Sequence, residues 1–174
     1  MFLVRMGAII RYTSNVLPMT NKEFFAKTIQ EEAPKFRAAI EALPEDSHAY
    51  KVHEKSREAG NLAAQLAVQW KAISGVLTQG APTFNPHEME EQSKADMLAK
   101  FDAGMEQLFK DVEAASEEDW EQGEAAMGEW KDKKSGMAWG FLFDAIHHRG
   151  QLATYLRAMG AKVPSIYGPT ADSQ

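Results

Sequence analysis

Asp144 and His148 stand four residues apart in the segment Phe141-Leu-Phe-Asp-Ala-Ile-His-His-Arg-Gly-Gln-Leu-Ala-Thr-Tyr155. At about 100° per residue, a helix there gathers Met137, Phe141, Asp144, His148, Leu152, Tyr155 and Met159 into one sector. A carboxylate inside an apolar stripe is costly unless a cation, a metal or several donors meet it. An Asp and a His at i, i+4 also supply two corners of a metal site from a single helix face. The plainer reading is a direct Asp144–His148 hydrogen bond that satisfies both groups without a metal. Spacing alone leaves both readings open.

A metal site in a helical bundle draws ligands from facing helices and needs at least a third. Gln65 and Gln69 are the inward polar candidates on the facing segment, although glutamine is a weak ligand for zinc or nickel beside histidine. Gln151 lies near the same stripe. His147 faces away from it, while His48, His53 and His87 sit in or beside polar loops. Arg149 suits an anionic substrate group or, more simply, a carboxylate on another helix. Trp70, Trp130 and Trp139 suit a pocket lining but at helical spacing read as core. The chain has no glycine-rich phosphate loop, no nucleophile elbow, no His-Glu-x-x-His and no paired Glu-x-x-His of the di-iron bundles.

Four long helices must position these groups. The first is predicted from about Asn21 to Leu43, opened by a Thr20/Glu23 capping box and interrupted at Pro34. The second is predicted from about Arg57 to Leu77 with Ser56 as N-cap, and the third from about His87 to Ala115. The fourth is predicted from about Gly136 to Met159, with Gly160 as its stop. Residues 116–134 read as a long polar connection with a helical turn near Trp120, and no strand-like alternation persists. A second apolar face on the last helix, Trp139, Phe143, Ile146, Gly150 and Ala153, is either covered within the bundle or a homodimer interface, the second being favoured.

The chain of 174 residues suits one domain, here 19–174, preceded by an extension over residues 1–18. That extension reads as a poorly ordered arm or the result of an early start codon, since Met19 makes a natural beginning. A net charge of −6 argues against a nucleic-acid partner, and no stretch is long enough to span a membrane. The absence of cysteine removes disulfides and thiolate chemistry and fits a cytoplasmic protein.

Ile146-His-His-Arg-Gly-Gln-Leu-Ala-Thr-Tyr-Leu-Arg-Ala-Met-Gly160, followed by Val163-Pro-Ser-Ile-Tyr-Gly-Pro169, resembles the C-terminal signature of the DinB/YfiT-like superfamily. Lys55-Ser-Arg-Glu-Ala-Gly-Asn-Leu-Ala63 resembles the opening of that family's second helix. The resemblance implies an all-α, four-helix up-down bundle, usually dimeric, holding one divalent metal such as zinc or nickel on three histidines. It also implies, for some members, transfer or isomerisation with a low-molecular-weight thiol. Here Asp144 replaces the first histidine of the last helix, His148 matches the second, and Gln65 replaces the histidine of the second helix. The family's mycothiol-dependent maleylpyruvate isomerase resembles this chain in having a carboxylate at the first of these positions.

Two functions are therefore expected. One is a divalent-metal-dependent enzyme acting on a small-molecule substrate, a thiol transferase or a hydrolase, with Asp144, His148 and Gln65 as ligands. The other is a metal-free helical dimer that binds a small molecule or a protein, with Asp144–His148 as a buried structural pair.

Overall fold

The computed structural model describes residues 18–83, 85–90 and 92–173. Of the extension expected over residues 1–18, all but Pro18 lies outside the described residues. The elements in chain order are α1 (Asn21–Glu41), α2 (Ala59–Gln79), α3 (Lys94–Ala114), α4 (Glu117–Gln122), β1 (Glu124–Met127), β2 (Trp130–Lys133) and α5 (Lys134–Ala158). A 3-10 turn, Pro86–Met89, precedes α3. None of the described helices is long and apolar enough to cross a membrane.

α1, α2, α3 and α5 form the bundle. α2 packs most extensively, against α3 and α5, and α1 closes the opposite side against the same two helices. The chain neighbours α1 and α2 therefore face each other diagonally, and the segment 42–58 crosses between them. The core is a single apolar mass that includes Phe25, Phe36, Leu62, Leu66, Trp70, Phe101, Leu108, Leu142 and Leu156.

Local chemistry sets the helix ends. Thr20 and Glu23 form the expected capping box, each side chain bonding the other's backbone N–H. α1 continues through Pro34, contrary to the predicted interruption. An interior proline costs about 3 kcal/mol. Burial of Ile29, Phe36 and Ile40 on either side offsets it, at roughly 1.5–3 kcal/mol each.

α2 starts two residues later than predicted, and Ser56 does not cap it. The crossover supplies the acceptors instead: Ala59 N–H donates to the Tyr50 carbonyl (2.9 Å) and Gly60 N–H to the His48 carbonyl (2.8 Å). A Cβ on Gly60 would lie 3.0 Å from the His48 Cβ, so the close approach requires glycine. α3 begins at Lys94 rather than His87 because Ser93 accepts the Asp96 N–H, while Asn85 caps the separate 3-10 turn.

The 116–134 connection is more ordered than predicted. Its helical turn at Trp120 is present as α4. β1 and β2 then form an antiparallel hairpin pairing Glu124 with Lys133 and Met127 with Trp130. Gly128 turns it at φ 60°. Alternation failed as a signal because β2 is exposed throughout and β1 buries only Ala125.

Candidate functional site

The site forms where α2 faces α5. Gln65 and Gln69 share one face of α2, and Asp144 and His148 share one face of α5, each pair one turn apart. Asp144 Oδ2 accepts from Gln69 Nε2 at 2.8 Å and from Gln65 Nε2 at 3.2 Å. Asp144 Oδ1 lies 3.3 Å from His148 Nε2. The three residues predicted as ligands thus meet, together with Gln69.

Asp144 is not buried as the stripe predicted; its side chain is 46% exposed and that of His148 15%. The continuously buried line of α5 is Ala138, Leu142, Ala145, Arg149, Leu152 and Leu156. Asp144 lies at the border of that line, so water relieves part of the cost that burial would impose.

Further groups complete the cluster. Gln69 Nε2 also donates to the Phe141 carbonyl at 2.8 Å, and Gln69 Oε1 is buried with no partner. Gln65 Oε1 accepts from the Arg57 guanidinium. Arg57 reaches it from the loop before α2, whose backbone carbonyl at Arg57 accepts from the Tyr155 hydroxyl at 3.2 Å. Sequence reasoning missed Arg57. The one available signal was that 57, 61 and 65 would share a helical face, and Arg57 precedes the helix. His148 Nδ1 lies 2.9 Å from Gln151 Oε1, and Gln151 Nε2 lies 2.9 Å from His147 Nε2.

Between the helices Gln65, Val68, Gln69, Ala72, Phe141 and Asp144 line a cavity of about 40 Å³. That admits a water molecule, not a substrate, so any substrate must approach from the exposed side of Asp144. A larger concavity, about 680 Å³, lies beside the hairpin and contains none of these residues.

Arg149, next to His148 in sequence, serves a different purpose. It is 1% exposed and donates to Glu32 Oε2 on α1 at 2.5 Å. This is the carboxylate-pairing alternative read from the sequence. Tyr167 and Lys35 also donate to Glu32, at 2.8 and 2.6 Å. Burial pushes the Glu32 carboxyl up, but the bonds from Lys35, Arg149 and Tyr167 outweigh it and hold the carboxyl below its ordinary value.

Two ligands on a tetrahedral ion at about 2.0–2.1 Å lie about 3.3–3.4 Å apart. The Asp144 Oδ1–His148 Nε2 separation of 3.3 Å is close to that edge, and it is equally the distance of a direct carboxylate–imidazole contact. Among the described residues no third His, Cys, Asp or Glu completes the cluster. Gln65 and Gln69 turn amide nitrogens toward the carboxylate, and an amide N–H does not ligate a metal.

The sequence profile of the DinB family matches residues 19–174. The chain belongs to the DinB family. Its fold is similar to that of a DinB-like protein of Bacillus subtilis, with a TM-score of 0.66 at 19% identity, covering 84% of this chain and 99% of that one. A DinB-like protein of Bacillus cereus ATCC 10987 gives a TM-score of 0.71 at 15% identity, covering 83% and 97%. No curated protein matches the chain. At two of the three positions where the family resemblance implies histidine, this DinB-family protein has Gln65 and Asp144; His148 stands at the third. The geometry makes those two residues partners, amide donor to carboxylate acceptor.

Proposed function

We propose that this DinB-family protein binds a divalent cation, zinc or nickel, on Asp144 Oδ1 and His148 Nε2, and uses it on a small-molecule substrate. The observation that carries this is the 3.3 Å separation of those two atoms on one turn of α5. A cation there would lend Lewis acidity to whatever fills its open positions and lower the pKa of a water or thiol ligand. Hydrolysis and transfer of a low-molecular-weight thiol are the reactions that follow from such a ligand; the choice between them rests on the family resemblance.

The chain's own residues have distinct tasks. Gln69 and Gln65 hold Asp144 Oδ2, leaving Oδ1 directed at His148. Arg57 holds the oxygen of Gln65 and places a positive charge beside the site, suited to the anionic part of a substrate. For Gln65 to become a ligand its amide must turn over, which would set its NH2 against the Arg57 guanidinium. We propose Gln65 as a ligand only with that rearrangement, and otherwise as the group that orients Asp144.

One observation favours the second reading, a metal-free binding module. Every polar atom of Gln65 already has a protein partner, and Asp144 Oδ2 accepts two amide bonds. Metal analysis of protein purified without an affinity tag separates the two. The first reading expects about one zinc or nickel per chain, with Asp144→Ala losing most of it. Substoichiometric metal unaffected by Asp144→Ala would sink it. We also propose that the protein is a homodimer through the Phe24–Trp139–Phe143 surface.

A further inference from the structure

Tyr167 is 70% exposed, yet its hydroxyl reaches two buried charges. It donates to Glu32 Oε2 at 2.8 Å and accepts from Arg149 Nη2 at 2.6 Å. The Lys35 ammonium lies 4.5 Å from the centre of the Tyr167 ring, and the Arg149 guanidinium carbon 5.2 Å from it. α1 supplies Glu32 and Lys35, and α5 supplies Arg149. Without Tyr167 these three side chains form a receptor of definite chemistry.

Its polar end selects a hydroxyl. The ligand atom there must give a hydrogen to a carboxylate and take one from a guanidinium. A carboxylate or an ether has no hydrogen for Glu32, and an ammonium has no lone pair for Arg149. Two cations beside the ring then select an aromatic alcohol over an aliphatic one, because an aromatic face attracts cations. The group that meets both demands is a phenol.

The present occupant is held by few contacts. Residues 163–173 form a strap bonded mainly to itself: Asp172 Oδ2 accepts the Val163 N–H, and Thr170 Oγ1 donates to the Val163 carbonyl. Among the described residues, the strap hydrogen-bonds to the helices at two points, Asp172 to Arg157 on α5 and Tyr167 to the buried pair. An open groove of about 340 Å³ separates Val163, Pro164 and Asp172 from Ala38, Glu41 and Ala42 at the end of α1. Lifting Tyr167 therefore gives up little apolar burial. It gives up polar contacts that a free phenol replaces like for like.

We propose that Glu32, Arg149 and Lys35 form a binding site for a phenolic ligand, occupied in this structure by the chain's own Tyr167, and that a free phenol displaces Tyr167 and releases the strap. The site lies between α1 and α5, and it stands whether or not a cation binds at Asp144. A flexible tether gives Tyr167 an effective concentration on the order of millimolar, so displacement requires free phenol in that range.

The test uses 4-methylphenol, the tyrosine side chain as a free molecule. With Tyr167→Ala it is expected to raise the thermal midpoint saturably, whereas toluene, 4-methylanisole and 4-methylcyclohexanol are not. In the wild type it is expected to speed amide hydrogen exchange across residues 165–173 while leaving α1 and α5 protected. Tyr167→Phe keeps the ring and loses the hydroxyl, so its strap is expected to respond at roughly tenfold lower concentration. The phenylalanine variant decides the question should the alanine variant fail to fold. Equal stabilisation of Tyr167→Ala by toluene and 4-methylphenol overturns the site. Strap exchange that 4-methylphenol leaves unchanged in both the wild type and Tyr167→Phe overturns the displacement.

Discussion

Arg149 and Glu32 show how a charge is kept inside this protein. Each is almost fully buried, and each meets several partners. Arg149 donates to Glu32 and Tyr167 and lies 4.4 Å over the Phe36 ring, while Glu32 accepts from Lys35, Arg149 and Tyr167. Removing Glu32 leaves the buried Arg149 cation without a counter-charge, since its other polar partner is the neutral Tyr167 hydroxyl. Glu32→Leu is expected to lower the unfolding free energy by roughly 3–5 kcal/mol. The apolar pair Glu32→Leu with Arg149→Met is expected to recover much of that loss, as read by urea unfolding. The folded Glu32 carboxyl titrates below its ordinary value. Its contribution is therefore present above the unfolded value, about 4.3, and is lost as pH falls through the lower folded value. Stability of the wild type should decline below about pH 4.5 more steeply than that of Glu32→Gln, measured by denaturant melts across that range. The Arg149 pairing was legible because a cation at a buried helical position needs a carboxylate. The convergence of Gln65, Asp144 and His148 was legible because i, i+4 spacing fixes a face. The direction of each amide was not, since it depends on the Arg57 guanidinium and the Phe141 carbonyl, which meet Gln65 and Gln69 only in the folded bundle.

Among the elements, α1 and α2 begin by different means, and the difference decides what sequence reveals. The α1 cap is local: Thr20 and Glu23 lie three residues apart, and the pattern alone predicts the geometry. Thr20→Ala is expected to cost about 1 kcal/mol. The start of α2 depends on carbonyls at His48 and Tyr50, which reach it only after the crossover has folded back. No local pattern announces that arrangement, so Ser56 drew the prediction instead. The same applies to the hairpin, whose short exposed strands bury too little to leave an alternating trace. Gly60 reports on the crossover directly. A valine there would force its Cβ to within about 3 Å of His48, beyond what an ordinary contact allows. Gly60→Val is expected to destabilise the protein by roughly 1–3 kcal/mol, at least as much as loss of the Thr20 cap, with a lowered thermal midpoint as the measure. A valine variant as stable as the wild type would show that the 42–58 crossover does not pack as described.

At the scale of the molecule, one surface lacks a covering partner among the described residues. Phe24 and Phe143 are 53% and 61% exposed and flank the ring of Trp139, with centroids 5.5 and 5.6 Å away. Trp139 already spends its N–H on Asn21 Oδ1 at 3.1 Å, so its remaining edge is apolar. Gly150 lies two turns beyond Phe143 on the same side of α5, and a Cβ there would meet nothing within 4 Å. A glycine in an exposed helix costs about 1 kcal/mol relative to alanine, and no contact among the described residues accounts for it. A second copy of the helix approaching closely at Gly150, with the aromatic cluster as anchor, accounts for both. A stable pair needs roughly 1,000 Å² or more of buried surface, which an aromatic cluster and two turns of helix begin to provide. Phe143→Lys places a charge at the centre of that surface, and Gly150→Leu blocks the approach of backbones. If the protein pairs as proposed, each variant is expected to sediment as a monomer where the wild type sediments as a dimer. As a surface substitution, Phe143→Lys should change the monomer's own stability by no more than about 0.5 kcal/mol, whereas Gly150→Leu should raise it by roughly 0.5–1 kcal/mol through helix propensity. A wild type that sediments as a monomer at high micromolar concentration would reject the pairing. So would a dimer that both variants leave intact, because the aromatic surface would then face solvent in the assembly as well.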